Sequence, residues 1–318
     1  MNRVRSRYDN LLKRLNAGSQ IMIDGGTGTE VERRGVPQLT DAWNGGGALS
    51  HPEVLKAIHA DYIRHGAEIV ISNTFATSRN LLEDAGVPEL FHDYNRRGVE
   101  IACEARDESG RQDVLVAGSI SHWSFSGRLP SLDELRDGAA EQAITMQQSG
   151  ADLIMLEMMI EIPRMLAVLS GAKESGLPVW VGVSCAPDSE GVMYLQAGES
   201  DANGLVKAGE GETLAQAIAA LGDKEIELLS IMHTDVAHIE SCLNVVQAHW
   251  GGMVGVYAHS GEYINGDWVF EDTITPEDFT SACQQWLGRS IQIIGGCCGI
   301  RPDHIELLGK NVYGPPAG

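Results

Sequence analysis

The stretch Ile291-Gln292-Ile293-Ile294-Gly295-Gly296-Cys297-Cys298-Gly299-Ile300 decides how the rest of the chain is read. Its apolar run reads as a buried strand that stops at two glycines, a cysteine pair and a third glycine. Successive side chains of a regular strand point to opposite faces. Cys297 and Cys298 therefore reach one metal ion only where the strand has already ended. Glycines tolerate backbone angles closed to other residues, which permits a sharp turn there. Two thiolates are soft ligands that suit zinc. The same ten residues are also compatible with a buried pair of small apolar side chains, or with a vicinal disulfide.

Seven more short apolar segments of this kind precede it, each followed by turn residues and a helical pattern. They are Ile21–Asp24, Ile69–Asn73, Val114–Ser119, Leu153–Glu157, Val179–Ser184, Leu228–Met232 and Met253–Tyr257. Continuous apolar strands alternating with helices imply a parallel sheet covered by helices. Eight such units in 318 residues fit an α/β fold of one closed (β/α)8 TIM barrel spanning residues 1–318, with 1–18 as an N-terminal helical extension. A doubly wound open sheet is the rival. No linker, low-complexity stretch or repeat beyond the βα unit is visible.

Helix punctuation agrees with this reading. Ser50-His51-Pro52-Glu53 has the pattern of a capping box with proline in the first turn. It precedes a helix expected to bury Val54, Leu55, Ile58, Tyr62 and Ile63. Ser131 to Glu134 repeats the box. Thr275-Pro276-Glu277-Asp278 opens another helix, with Phe279, Ala282, Cys283 and Trp286 along one face. Cys103, Cys242 and Cys283 fall within helical patterns and read as packing residues.

Composition narrows the partners. A formal charge of −21 argues against nucleic acid and anionic membrane surfaces. The 43% of hydrophobic residues suffices for a sizeable core, and 37 glycines suit many strand-to-helix turns. No apolar run approaches the length of a membrane span. The basic N-terminus lacks the apolar core of a signal peptide and reads as a surface helix on the barrel rim. Six irregularly spaced cysteines do not form a disulfide framework, so a cytoplasmic location is expected. A homo-oligomer is compatible with the sequence.

In a barrel of this kind the chemistry gathers at the C-terminal strand ends. Those ends carry Asp24 to Thr29, Asn73-Thr74-Phe75, Glu157, Ser184-Cys185, His233, His259 to Glu262 and the cysteine pair. Strands six and eight flank strand seven, so His233, Cys297 and Cys298 can supply three metal ligands. Three protein ligands plus an open position is the catalytic form of a zinc site. Glu157 is a candidate partner for a cationic group of a ligand. Trp43, Phe75 and Trp123 are candidates for holding a cationic ligand by cation–π attraction.

The motifs Asp24-Gly25-Gly26-Thr27-Gly28-Thr29, Asn73-Thr74-Phe75, Leu156-Glu157, Tyr257-Ala258-His259-Ser260-Gly261-Glu262 and Gly295-Gly296-Cys297-Cys298-Gly299 resemble those of the homocysteine S-methyltransferase family. The resemblance runs from about Ile21 to Leu308. It implies a cytoplasmic, zinc-dependent methyltransferase of methionine biosynthesis. Such an enzyme moves a methyl group from a sulfonium or quaternary ammonium donor to the thiol of homocysteine or a related small thiol. It also implies that Glu157 binds the acceptor's amine, that Asp24 lies on the substrate side, and that Thr74, Ser260 and Glu262 belong to the substrate site. The partners implied are a small thiol and a methyl donor, and the cofactor is Zn2+.

Three positions leave the family pattern. Members usually end strand six in Asn-Cys, with that cysteine as third zinc ligand; this chain has Met232-His233. His259 replaces an asparagine, and Ser121-His122-Trp123-Ser124 lacks the usual Gly-Pro step. Replacing one thiolate by a neutral imidazole raises the formal charge of the zinc site from minus one to zero. Such a site should hold an incoming thiol more readily, yet leave its thiolate less nucleophilic. The acceptor therefore need not be homocysteine itself. Cys185 is the alternative third ligand. Two other activities fit the same residues. One is demethylation or thiol transfer on another methylated sulfur compound, and the other is metal or thiol binding without catalysis.

Overall fold

The computed structural model describes residues 2–196, 211–264, 267–270 and 273–312, with side chains over 6–196, 211–261, 269–270 and 273–312. Eight parallel strands form the barrel: β1 (Ile21–Met22), β2 (Ile69–Ile71), β3 (Leu115–Ile120), β4 (Leu153–Met159), β5 (Val179–Val183), β6 (Leu228–Asp235), β7 (Met253–His259) and β8 (Ile293–Gly296). From β2 onward each pairs with the next in chain order, and β8 pairs with β1. The ring closes through a parallel bridge between Ile23 and Ile69, so the fold is the closed (β/α)8 barrel rather than the open sheet.

Alternation along the strands sorts the core into two shells. Ile21, Ile69, Leu115, Leu153, Trp180, Leu228 and Ile293 fill the barrel interior. Met22, Val70, Val116, Ile154, Val181, Leu229 and Ile294 face the helices. Burying a side chain of this size stabilises the fold by roughly 1.5–3 kcal/mol. Because both faces are covered, the strands read as unbroken apolar runs.

The N-terminal helix, Asn2–Asn16, does more than lie on the rim. Tyr8, Leu11 and Leu15 are buried with the barrel interior. Arg7 pairs with Asp152 at 2.9 Å and Arg14 with Glu68 at 2.5 Å, while the Tyr8 hydroxyl donates to Glu227 at 3.2 Å. Glu68, Asp152 and Glu227 each stand just before a strand, β2, β4 and β6. The helix thus stoppers the N-terminal end of the barrel.

Two of the three expected helix caps form. Ser131 and Glu134 make a reciprocal capping box, and Thr275 accepts from the Asp278 amide. Phe279, Cys283 and Trp286 are buried on that last helix, with Ala282 packed beside them. The box expected at Ser50 does not form. The helix Pro52–Arg64 is preceded by His51, and the Ser50 hydroxyl instead donates back to the Gly46 carbonyl at 3.1 Å. The preceding short helix has claimed Ser50 for its own last turn. Leu55, Ile58, Tyr62 and Ile63 are buried as expected, and Val54 is half-buried. Among the described residues no helix is long and apolar enough to cross a membrane.

Candidate metal centre

The end of β8 is shaped by close approach. A side chain at Gly295 would meet the Asp24 carbonyl at 2.8 Å, and one at Gly296 would run into Ile300. Only Gly299 needs glycine's angles, with φ +78° against the Ser260 carbonyl. The Cys297 amide donates to the Ala258 carbonyl at 2.8 Å, and the chain then turns so that the Ile300 amide returns to the Cys297 carbonyl at 3.0 Å. The strand has ended at the cysteine pair, as a shared metal requires. The two sulfurs lie 3.9 Å apart on one side of the turn.

The third group arrives from β6. Its pairing with β7 is interrupted by a bulge between Met232 and Asp235, and His233 within it has φ +40°. Such a conformation costs a non-glycine residue roughly 1–3 kcal/mol and is commonest at functional sites. The bulge brings Nδ1 of His233 to 3.6 Å from the Cys297 sulfur. One ligand atom from each of His233, Cys297 and Cys298 lies within 4.8 Å of the others. In a tetrahedron with zinc–sulfur bonds of about 2.3 Å and a zinc–nitrogen bond of about 2.0–2.1 Å, ligand-to-ligand edges are about 3.8 and 3.6 Å. The Cys297–Cys298 and His233–Cys297 separations match these two edges.

The protonation chemistry also fits a metal. Burial, with His259 alongside, holds the His233 ring well below its ordinary pKa, so it is neutral with a lone pair to give. The adjacent Cys298 sulfur and burial push the Cys297 thiol well up. A buried thiol pair of this kind becomes a thiolate pair when a cation joins it.

Above this cluster opens a cavity of about 750 Å³. Trp43, Phe75, Trp123, Phe125 and Phe270 contribute its aromatic lining, and Glu32, Asp41 and Glu157 its acidic groups. No lysine or arginine is among the described residues lining it. Phe125 joins the aromatics into one wall, its ring centroid 6.4 Å from that of Trp43 and 6.2 Å from that of Trp123. Glu157 receives the Ser119 hydroxyl. Burial pushes its carboxyl up to about 7, against the opposing influence of the Ser119 and Tyr257 hydroxyls.

The homocysteine S-methyltransferase family model matches residues 21–312. The chain belongs to that family. As a member of the homocysteine S-methyltransferases it is a methyltransferase. It is 26% identical to a selenocysteine Se-methyltransferase of Brassica oleracea var. italica, over 93% of this chain and 89% of the relative. It is 25% identical to homocysteine S-methyltransferase 2 of Arabidopsis thaliana, over 93% of each. The metallated crystal form of the homocysteine methyltransferase MmuM from Escherichia coli shares the fold, with a TM-score of 0.74, 21% identity and coverage of 93% and 98%.

Against the family's pattern, the structure gathers Trp43, Phe75, Glu157, His233, Cys297 and Cys298 at one cavity. Other expected residues stand behind it. Asp24 is fully buried, does not line the cavity, and accepts the Ile71 amide at 2.7 Å. Thr74 donates to the Ser119 carbonyl at 2.9 Å, tying β2 to β3. Ser260 accepts the Ile274 amide at 2.8 Å and donates its own amide to the Cys298 carbonyl, bracing the cysteine turn. The side chain of Glu262 lies outside the described residues.

Cys185 is not brought to the metal cluster. It is buried in the outer shell, where it interacts with Cys242. The strand end that carries it points its side chain away from the barrel axis. His122 is likewise structural, its Nε2 accepting the Ile160 amide at 3.2 Å. Phe125, Tyr257 and Phe270 line the cavity without having been singled out as substrate-site residues. Tyr257 was legible, since it opens the strand-seven motif and its strand end faces inward. Phe125 and Phe270 lie in loops without any periodic signal.

Proposed function

We propose that this chain is a zinc-dependent S-methyltransferase. It moves a methyl group from a sulfonium or quaternary ammonium donor to the thiol of homocysteine or a related small thiol. The observation that carries this reading is the convergence of His233, Cys297 and Cys298 on the cavity floor, beneath an aromatic wall that carries acidic groups and, among the described residues, no cationic side chain. The three side chains would hold the ion and leave one position for the acceptor. Bound there, zinc lowers the pKa of a thiol and fixes its direction.

The remaining work falls to the protein's own groups. Glu157 presents a carboxylate to the acceptor's ammonium, and that partner offsets the burial that otherwise raises its pKa. Trp43, Phe75, Trp123 and Phe125 attract the positive charge of the donor and exclude water from the reacting atoms. As sulfur gains the methyl group the donor loses its charge, so product binds the aromatic wall less strongly than substrate. A donor carrying phosphate or several carboxylates meets acidic and neutral groups among the described lining residues, which disfavours it. The donor brings its own activated methyl group, so no covalent enzyme intermediate is required.

The experiment is mass spectrometry of products after zinc-loaded protein receives a thiol panel with S-methylmethionine, betaine or S-adenosylmethionine. The expected result is a methylated thiol from homocysteine or a close analogue with a cationic donor. Absence of any methylated thiol from zinc-replete protein would refute the reading.

A further inference from the structure

The pairing of β5 with β6 runs only as far as Val183 and Ile231. Beyond that point side chains replace the ladder. The Ser184 hydroxyl donates to the His233 carbonyl at 2.5 Å. The Cys185 amide donates to the Thr234 hydroxyl at 2.9 Å, and that hydroxyl donates to the Met232 carbonyl at 3.0 Å. On the other flank, the register with β7 jumps from Met232–Tyr257 to Asp235–His259. His233 occupies the gap in its left-handed conformation. His259, at the end of β7, lays its ring against that of His233, with centroids 4.5 Å apart and planes at 42°. Its ring also hydrogen-bonds to the His233 backbone. Both residues are buried.

We infer that Ser184 and His259 are positioning residues for the third metal ligand, an inference that rests on the ligand set proposed above. Ser184 fixes the carbonyl of the bulged residue from one side. His259 fixes backbone and ring from the other. Together they hold His233 in the bulged conformation that brings Nδ1 to the Cys297 sulfur. A regular strand would place that side chain by simple alternation, and β-bulges serve to re-aim one. An imidazole is larger than a thiol and must also be oriented about its ring bond, so it needs a second support. The chain carries a histidine at position 259 beside the histidine at position 233, and the contact between the two tilted rings answers that need. Outer groups of this kind orient a metal-binding histidine, and their removal costs about 10- to 100-fold in metal affinity.

The test uses the full chain and reads zinc affinity by competition with a chromophoric chelator, together with the visible spectrum of cobalt(II)-substituted protein. His233→Ala should weaken zinc most. His259→Ala and Ser184→Ala should each weaken it about 10- to 100-fold and shift the cobalt bands. His259→Phe keeps a ring against His233 and should recover most of the affinity, whereas His259→Asn keeps a hydrogen-bonding group without a ring and should not. Should His259→Ala fail to fold, the Phe and Asn variants carry the comparison. If His233→Ala loses zinc while the Ser184 and His259 variants bind like the unmodified chain, the positioning role is overturned and the ligand set stands. If His233→Ala itself binds normally, the ligand set falls and this inference with it.

Discussion

Glu157 is a buried carboxyl that no positively charged group offsets among the described residues. Its pKa is raised from 4.5 to about 7, so the folded state favours its neutral form. The stability this lends is complete below the unfolded value and is lost as pH rises through about 7. The ligand-free protein should therefore lose up to about 3 kcal/mol relative to Glu157→Gln between about pH 5 and pH 8. Denaturant unfolding of both proteins across that range measures this, and a constant difference would show that Glu157 does not titrate there. The same variant should bind the acceptor roughly ten- to a hundred-fold more weakly while keeping its metal, because a charge-assisted hydrogen bond of about 1.5–3 kcal/mol is lost. At this scale the sequence was informative where chemistry is rare. A cysteine pair between glycines and an acidic residue ending an apolar strand have few other uses. Asp24 and Thr74 were harder, because hydrogen bonds to neighbouring strands, invisible in a sequence, draw both behind the cavity wall.

Strands and helices were legible wherever the apolar pattern alone set them. All eight strands appeared within a few residues of their expected bounds, and the caps at Ser131 and Thr275 formed. Ser50 failed because two adjacent helices compete for it, a contest that spacing does not resolve. The bulge in β6 had no signal either. Nothing in Met232-His233-Thr234-Asp235 breaks the strand locally, and the irregularity arises from contacts with β5 and β7. The N-terminal helix showed its basic face in sequence, but its role as a stopper depends on acidic residues before three distant strands. Its buried face should matter to the whole fold. Leu11→Ala, at 2% exposure, should cost about 2–5 kcal/mol in denaturant unfolding. A loss under about 0.5 kcal/mol would mean that the helix is not docked there in solution.

At the scale of the whole molecule, the barrel explains how residues 64 positions apart meet at one candidate metal site. β6 and β8 flank β7, so the ends that carry His233 and the cysteine pair converge once the ring closes. The N-terminal end is stoppered, and the cavity at the opposite end combines aromatic and acidic walls. X-ray absorption at the zinc edge of the zinc-loaded, unmodified chain tests this convergence most directly. Sulfur and nitrogen shells differ by about 0.2–0.3 Å and are resolved separately. The structure predicts two sulfur ligands near 2.3 Å and an imidazole shell near 2.0–2.1 Å, about one zinc per chain. A spectrum with sulfur ligands alone, or with no imidazole scattering, would contradict the placement of His233 at the centre.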